Sequence, residues 1–394
     1  MLSCLSHAQN YQQHCGTKYE TSWETPEFDL ARLPGNSAAK PTATYYIPTV
    51  FHVIHDAGPE NVSAGIIQSA LNKLNAEYAN QSPYDDTDGV DIGIQFCLAV
   101  QDTDGHTTTG IVRHQNEATD FDAYITDNGL PANYPVDSLI KDLYHWPTDK
   151  YLNIYIVRSM GFMSSSSTMP DMYGNFKDGI MIVYNTMMGA GLPHESGHYL
   201  GLYHTFQNGC TNNDCLNDND KVCDTPPDNL AEYNLQNCIV STCSSDTDDA
   251  TLNNPFRSTT LGGLGDQNDD TRNFMDLSAC QSKYTPGQKA RMVATLTTIR
   301  GSLLTSQGCQ PTSVSSVVKN DIAVYPNPVT DLINIEGARN CTATLFNTLG
   351  QQVYKDNVKS DSHAMNLDYL QTGVYMLVVT NSAGEKNVMR ILKQ

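Results

Sequence analysis

No window of the 394-residue sequence approaches the roughly 20 consecutive apolar residues that a membrane-spanning helix needs. Basic residues are scarce: 23 Lys and Arg stand against 43 Asp and Glu, a formal net charge of −20. An acidic chain argues against nucleic acid and against anionic membrane as partners. The spacing of an EF-hand loop is also missing. At the N-terminus Ser6-His7-Ala8 has the small residues that signal peptidase prefers, but the five residues before it are too few for an apolar signal core. Residues 9–44 are polar and aperiodic, and residues 1–44 are expected to be an export-signal remnant and a propeptide.

A hydrophobic content of 39% supplies a real core, and the length suffices for two domains. Eleven cysteines, six of them between Cys210 and Cys280 in Asn/Asp-rich sequence, suggest a chain that meets an oxidising compartment.

The most informative stretch is Leu192 to Phe206, LPHESGHYLGLYHTF, which contains H-E-x-x-H-x-x-G-x-x-H. On a helix, His194 and His198 lie one above the other and can place two imidazole nitrogens on one metal ion. Glu195, next to the first of them, can take a proton from a metal-bound water. Gly201 tolerates the left-handed conformation that ends a helix, and the turn brings in His204 as third ligand. Three protein ligands and an open fourth position make the catalytic arrangement for zinc. His52 and His55, on a predicted strand, read instead as satisfied strand residues.

The extended motif resembles that of the metzincin metallopeptidases, whose methionine turn is matched by Asn273-Phe274-Met275-Asp276. His204-Thr205-Phe206, the VCDTPP run from Val222 to Pro227 and NFMD resemble the pappalysin family, in particular its ulilysin-like bacterial branch, over about residues 45–300. The resemblance implies an α+β catalytic domain: a twisted mixed sheet, a zinc helix and a small irregular lower half. It implies Met275 as an apolar floor beneath the ligands. It also implies that Cys15, in Cys15-Gly16-Thr17, is a cysteine switch whose thiolate fills the open zinc position of a latent zymogen; a disulfide with Cys4 is the other reading of that cysteine. Calcium binding near the loop from Asn208 to Asp228 is implied too, with Asp218, Asp220, Asp224 and Thr225 as candidate ligands beside the simpler reading of solvated loop acids. The pairings it implies are Cys215 to Cys243 and Cys238 to Cys280, which would leave Cys210 for Cys223, although six cysteines allow many connectivities. Two departures stand out. Leu277 occupies the place where relatives often carry a tyrosine able to hydrogen-bond the tetrahedral intermediate, and Leu277-Ser278-Ala279 lacks the aspartate of arginine-preferring relatives.

The periodicity around the motif predicts strands at Tyr46 to Ile54, Ile92 to Val100, Ile111 to His114, Tyr151 to Val157 and Gly179 to Tyr184. Helices are predicted at Ser63 to Asn80, Val136 to Tyr144 and Pro286 to Ile299. Residues 310–322 have linker composition, dividing a catalytic domain at 45–309 from a third segment at 323–394. In that segment short alternating strands, at Ala323 to Tyr325, Leu332 to Glu336, Thr342 to Phe346, Gln352 to Lys355, Val374 to Thr380 and Asn387 to Leu392, predict a small all-β sandwich. Its Tyr325-Pro326-Asn327-Pro328, Leu349-Gly350-Gln351 and Thr372-Gly373-Val374-Tyr375 resemble the C-terminal sorting domain of the type IX secretion system.

The expectation is a zinc metalloendopeptidase that cleaves proteins or peptides through a Glu195-activated, zinc-bound water. It is made as a zymogen, exported via the periplasm by the type IX machinery, and secreted or held at the cell surface. The alternative is a catalytically silent adhesin on the same fold. Intact Glu195 argues against it, because a binding protein does not need that carboxylate.

Overall fold

The computed structural model describes residues 15–17, 44–229, 238, 241–243, 251–309, 322–347, 351–381 and 386–394. Cys4, the export-signal remnant, most of the expected propeptide and residues 310–321 of the expected linker lie outside them. The chain divides into two compact units between Gln310 and Pro311.

The first unit is built on strand β1 (Tyr45–His55), buried without interruption from Ile47 to Ile54. Such a run, polar only at Thr49 and His52, is what a strand needs when both faces of a parallel sheet are covered. One edge of β1 pairs in parallel with two strands in succession, β2 (Ile94–Leu98) along Tyr45 to Thr49 and β3 (Ile111–Gln115) along Phe51 to His55. The other edge pairs in parallel with β4 (Leu152–Val157). Beyond β4 come β6 (Ile180–Val183), also parallel, and at the sheet's edge the antiparallel β5 (Ser165–Ser167).

Helix α1 (Ala64–Tyr78) begins at Ser63, whose side chain accepts from the Ile66 amide, a cap worth about 1 kcal/mol. Its Ile67, Ala70, Leu71, Leu74 and Tyr78 recur at helical spacing and are buried in the main core. Two short helices, α2 (Phe121–Asp127) and α3 (Val136–Tyr144), contribute Phe121, Val136 and Ile140 to a second apolar cluster with Tyr155 and Met181. Helix α4 (Gly191–Tyr199) carries the histidine motif and is buried along its whole length. Helix α5 (Pro286–Thr298) opens with a reciprocal cap: Thr285 accepts from the Gln288 amide and the Gln288 side chain accepts from the Thr285 amide. Leu192, Tyr199, Phe274, Met275, Tyr284, Met292 and Leu296 share the core of α1 and the sheet, so α4 and the methionine turn rest on one apolar body.

Among the described residues four disulfides are formed: Cys97–Cys309, Cys210–Cys243, Cys215–Cys223 and Cys238–Cys280. Two of the implied pairings are therefore corrected, because Cys215 bonds Cys223 and not Cys243, and Cys210 bonds Cys243 and not Cys223. The reason is local. The amides of Asn217 and Asp218 donate to Asp214 O, and the left-handed Asn219 and Lys221 fold the chain back, so that Cys215 and Cys223 come to a Cα separation of 4.9 Å. The left-handed Asn208 and Gly209 bend the preceding segment so that Cys210 meets Cys243.

The second unit holds two antiparallel sheets. One has the order β11 (Ser362–Asn366), β8 (Leu332–Glu336), β7 (Ala323–Tyr325), and the other β10 (Gln352–Asn357), β9 (Thr342–Phe346), β12 (Gly373–Thr380), β13 (Lys386–Lys393). Ile333, Ile335, Ala343, Leu345, Met365, Leu377, Val379 and Ile391 form a core of their own, with the free, buried Cys341 beside them. Alternate residues point inward, as Ile333 and Ile335 do while Leu332 is exposed.

Candidate metal centre and active site

On α4, His194 and His198 present their rings to one side. The helix then stops abruptly: the Gly201 amide donates to His198 O and the Leu202 amide to Gly197 O, with Gly201 at φ +89°. A β-carbon on Gly201 would stand 2.7 Å from Thr295 Oγ1, so both the conformation and the space call for glycine. Two buried arginines from the α5 region hold the carbonyls at this turn, Arg300 Nε donating to Tyr199 O and Arg291 Nε to Gly201 O. Arg300 is fixed in turn by Asp178, an ion pair with no appreciable exposure on either side.

The turn delivers His204. The Nε2 atoms of His194, His198 and His204 lie 3.1 Å from one another in all three pairs. Two tautomers follow from their neighbours: His194 Nδ1 is 2.6 Å from Phe274 O and His198 Nδ1 is 2.8 Å from Leu202 O. A carbonyl can only accept, so each Nδ1 carries the proton and each Nε2 a lone pair. Burial lowers the pKa of all three imidazoles, those of His198 and His204 far below the usual value. Lone pairs converging at this distance repel unless a cation lies among them. Their separation is close to the roughly 3.3 Å that tetrahedral bonds of about 2.0–2.1 Å to zinc require. The donor set fits that metal.

Glu195 is wholly buried beside the imidazoles. Its Oε1 accepts from Ser165 Oγ at 2.7 Å and its Oε2 from Thr17 Oγ1 at 2.8 Å. Cys15 carries a free thiol with Sγ 3.5 Å from His198 Nε2, and its ligand atom lies within 4.8 Å of those of all three histidines. Burial, and then the charge of Glu195, push this thiol well above its ordinary pKa; a cation in the site would act in the opposite sense. The segment 15–17 lies along the free edge of β5. Cys15 forms a parallel bridge with Ser165, the Gly16 amide donates to Ser165 O at 2.8 Å, and the Ser167 amide donates to Thr17 Oγ1 at 2.9 Å. Gly16 is as tightly placed as Gly201, since a β-carbon would stand 2.2 Å from Met163 Sδ.

Met275 lies under α4, where a β-carbon on Gly197 would be 2.4 Å from its sulfur. His52 is a core residue: it bonds Asn153 Oδ1 at 2.9 Å, contacts His114, and burial takes its pKa down to about 3. The acids among the four candidate calcium ligands each accept from protein donors. Asp218 Oδ2 accepts from the amides of Asn213 and Asp214, and the carboxylate of Asp224 accepts from Thr285 Oγ1 and the Gly287 amide at the start of α5. Only Asp220 and Thr225 touch, and burial pushes Asp220 up to about 8. Among the described residues these acids do not converge as the histidines do. Asp228, Asp269 and Asp276 lie buried near the methionine turn, and burial pushes Asp269 and Asp276 up to about 7. Ser165, Arg291 and Arg300 carry no sequence signal of their role, because a serine run and isolated arginines fit no motif.

Residues 134–297 match the family of pregnancy-associated plasma protein-A, and residues 323–394 match the secretion system C-terminal sorting domain. The chain is 31% identical over 283 residues to an extracellular metalloprotease of Verticillium alfalfae, an alignment covering 68% of this chain and 80% of that one. It is 33% identical over 190 residues to an extracellular metalloprotease of Sordaria macrospora, covering 43% of this chain and only 57% of the relative's length. In three dimensions it is similar to mature mirolysin of Tannerella forsythia, a structure determined with a cleaved peptide, at a TM-score of 0.51 and 23% identity, covering 69% of this chain and 100% of the other. That likeness establishes the fold. The chain belongs to the pappalysin family of metallopeptidases, and its second unit is a type IX sorting domain, which directs it to the cell surface or beyond.

Proposed function

We propose that the chain is a zinc-dependent endopeptidase made as a zymogen, with His194, His198 and His204 as zinc ligands, Glu195 as acid and base, and Cys15 as the fourth ligand of the latent form. The observation that carries this reading is the convergence of three imidazole Nε2 atoms, 3.1 Å apart, next to a buried carboxylate. Zinc, when bound, serves as a Lewis acid toward a peptide carbonyl and makes water a competent nucleophile near neutral pH. Glu195 accepts a proton from the attacking water and passes it to the nitrogen of the leaving amine. The substrate backbone lies along the edge of β5, whose Ser165 carbonyl and Ser167 amide are held by Gly16 and Thr17 in the latent chain. Met275 keeps the floor of the site apolar.

The test is cleavage of casein by the processed protein. Activity should vanish with 1,10-phenanthroline and in Glu195→Ala; equal cleavage by wild type and mutant sinks the peptidase reading. Calcium at Asp218, Asp220, Asp224 and Thr225 belongs to the same proposal, supported by the wholly buried carboxylate of Asp220, which has the charge of Asp224 for a neighbour. Calcium should then raise the melting temperature of the zinc-loaded protein by mass action, and a melting curve indifferent to both calcium and EGTA removes it.

A further inference from the structure

Glu195 has no exposed surface, and a buried carboxylate has to find its hydrogen-bond partners within the protein. Two hydroxyls of quite different origin donate to it. Thr17, on Oε2, belongs to the segment that the zymogen reading removes, whereas Ser165, on Oε1, is part of the sheet. Ser165 is itself fully buried. Once residues 15–17 leave, Ser165 is the remaining fixed partner of the carboxylate. The two oxygens thereby have different tasks, Oε1 being anchored to the edge strand while Oε2 is released when Thr17 leaves.

We infer that Ser165 is a positioning residue for catalysis: its hydroxyl pins Oε1 of Glu195, so that Oε2 alone exchanges protons with water and the leaving amine. The inference rests on the peptidase reading above. It also gives the edge strand a second task, because the residue whose carbonyl binds the backbone laid against β5 is the one whose side chain aims the base.

The experiment uses the full chain activated by limited proteolysis, with a peptide chosen from a library digest, and compares wild type, Ser165→Ala, Ser165→Thr and both serine variants combined with Glu195→Ala. Loss of a positioning contact should lower kcat of Ser165→Ala by about 10- to 100-fold while KM changes by less than about twofold, because the backbone groups that hold the peptide stay in place. Zinc content per chain should equal that of wild type. Ser165→Thr, which keeps the hydroxyl, should recover most of the rate, and in the Glu195→Ala background Ser165→Ala should have no further effect. Wild-type kcat in Ser165→Ala at full zinc content overturns the inference, as does an equal loss in the alanine and threonine variants. An activated wild type that cleaves no peptide overturns the peptidase reading and this inference with it, so the two failures are told apart by the wild-type control.

Discussion

Thr17 Oγ1 lies 2.8 Å from Glu195 Oε2 and also accepts from the Ser167 amide, so one hydroxyl occupies both the base and the edge strand. Two residues earlier Cys15 Sγ stands against the three imidazoles. Latency in the proposed zymogen therefore has two chemical parts, a thiolate filling the metal's open position and a hydroxyl engaging the base.

Replacing Cys15 by Ala should raise the activity of the uncleaved chain or hasten its self-processing, because a methyl group cannot ligate zinc. Thr17→Val, which keeps the shape and removes the hydroxyl, should have a smaller effect in the same direction, and the double variant should exceed either. Activity is read on casein before any cleavage is visible by electrophoresis. A Cys15→Ala chain as silent as wild type shows that another contact blocks the cleft.

Metal analysis of the purified protein should give about one zinc per chain. His204→Ala removes one of three converging nitrogens, and its loss of affinity should exceed the roughly 10–100-fold typical of losing an outer hydrogen-bond partner. Competition with a chromophoric chelator measures it. A variant that keeps wild-type affinity shows that His204 is not a ligand.

What the sequence made legible follows from how each feature is encoded. The H-E-x-x-H-x-x-G-x-x-H spacing is set by helix geometry and one glycine turn, both of them local, and the structure brings the three histidines together. The buried run of β1 and the alternation in β8 are also local patterns. Strand β5 was invisible, because Ser165 to Ser167 have no apolar pattern and are a strand only through pairing with β6. The seven-residue α2 and strand β11 were missed for lack of a sustained period. Disulfide partners depend on how loops fold back, as at Cys215 and Cys223, and the link between Cys97 and Cys309 joins positions 212 residues apart. No local pattern encodes that.

His52 and His114 make the folded state sensitive to acid. Burial takes their folded pKa values to about 3 and about 4, below the usual histidine value of about 6.5. The folded chain thus binds fewer protons than the unfolded one over that interval. Their contribution to stability is fully present above pH ~6.5 and is lost as pH falls toward 3, each residue adding a slope of at most about 1.4 kcal/mol per pH unit. In His52→Gln, whose amide can still bond Asn153, urea unfolding should show a shallower loss of stability between pH 6.5 and 4 than wild type. Identical slopes would mean that His52 does not drive the acid sensitivity.

The disulfide between Cys97, on β2, and Cys309 ties the sheet to the C-terminal end of the first unit. Gly308 lies at the same junction: its carbonyl accepts from the Val100 amide, and a β-carbon on it would meet Pro48 at 2.6 Å. The covalent link thus holds an already packed contact, and its effect falls on the unfolded chain, whose freedom it restricts over 212 residues of sequence. Replacing both cysteines by serine should lower the unfolding free energy by about 2–4 kcal/mol. The zinc site should stay intact, because its ligands and the turn at Gly201 belong to α4 and the segment that follows it, which hold neither cysteine. Chemical denaturation of the double variant, with zinc content measured in parallel, checks both statements. Unchanged stability would show that the packed junction alone holds the end of the unit, and loss of zinc would show that the sheet's far edge and the metal centre are coupled.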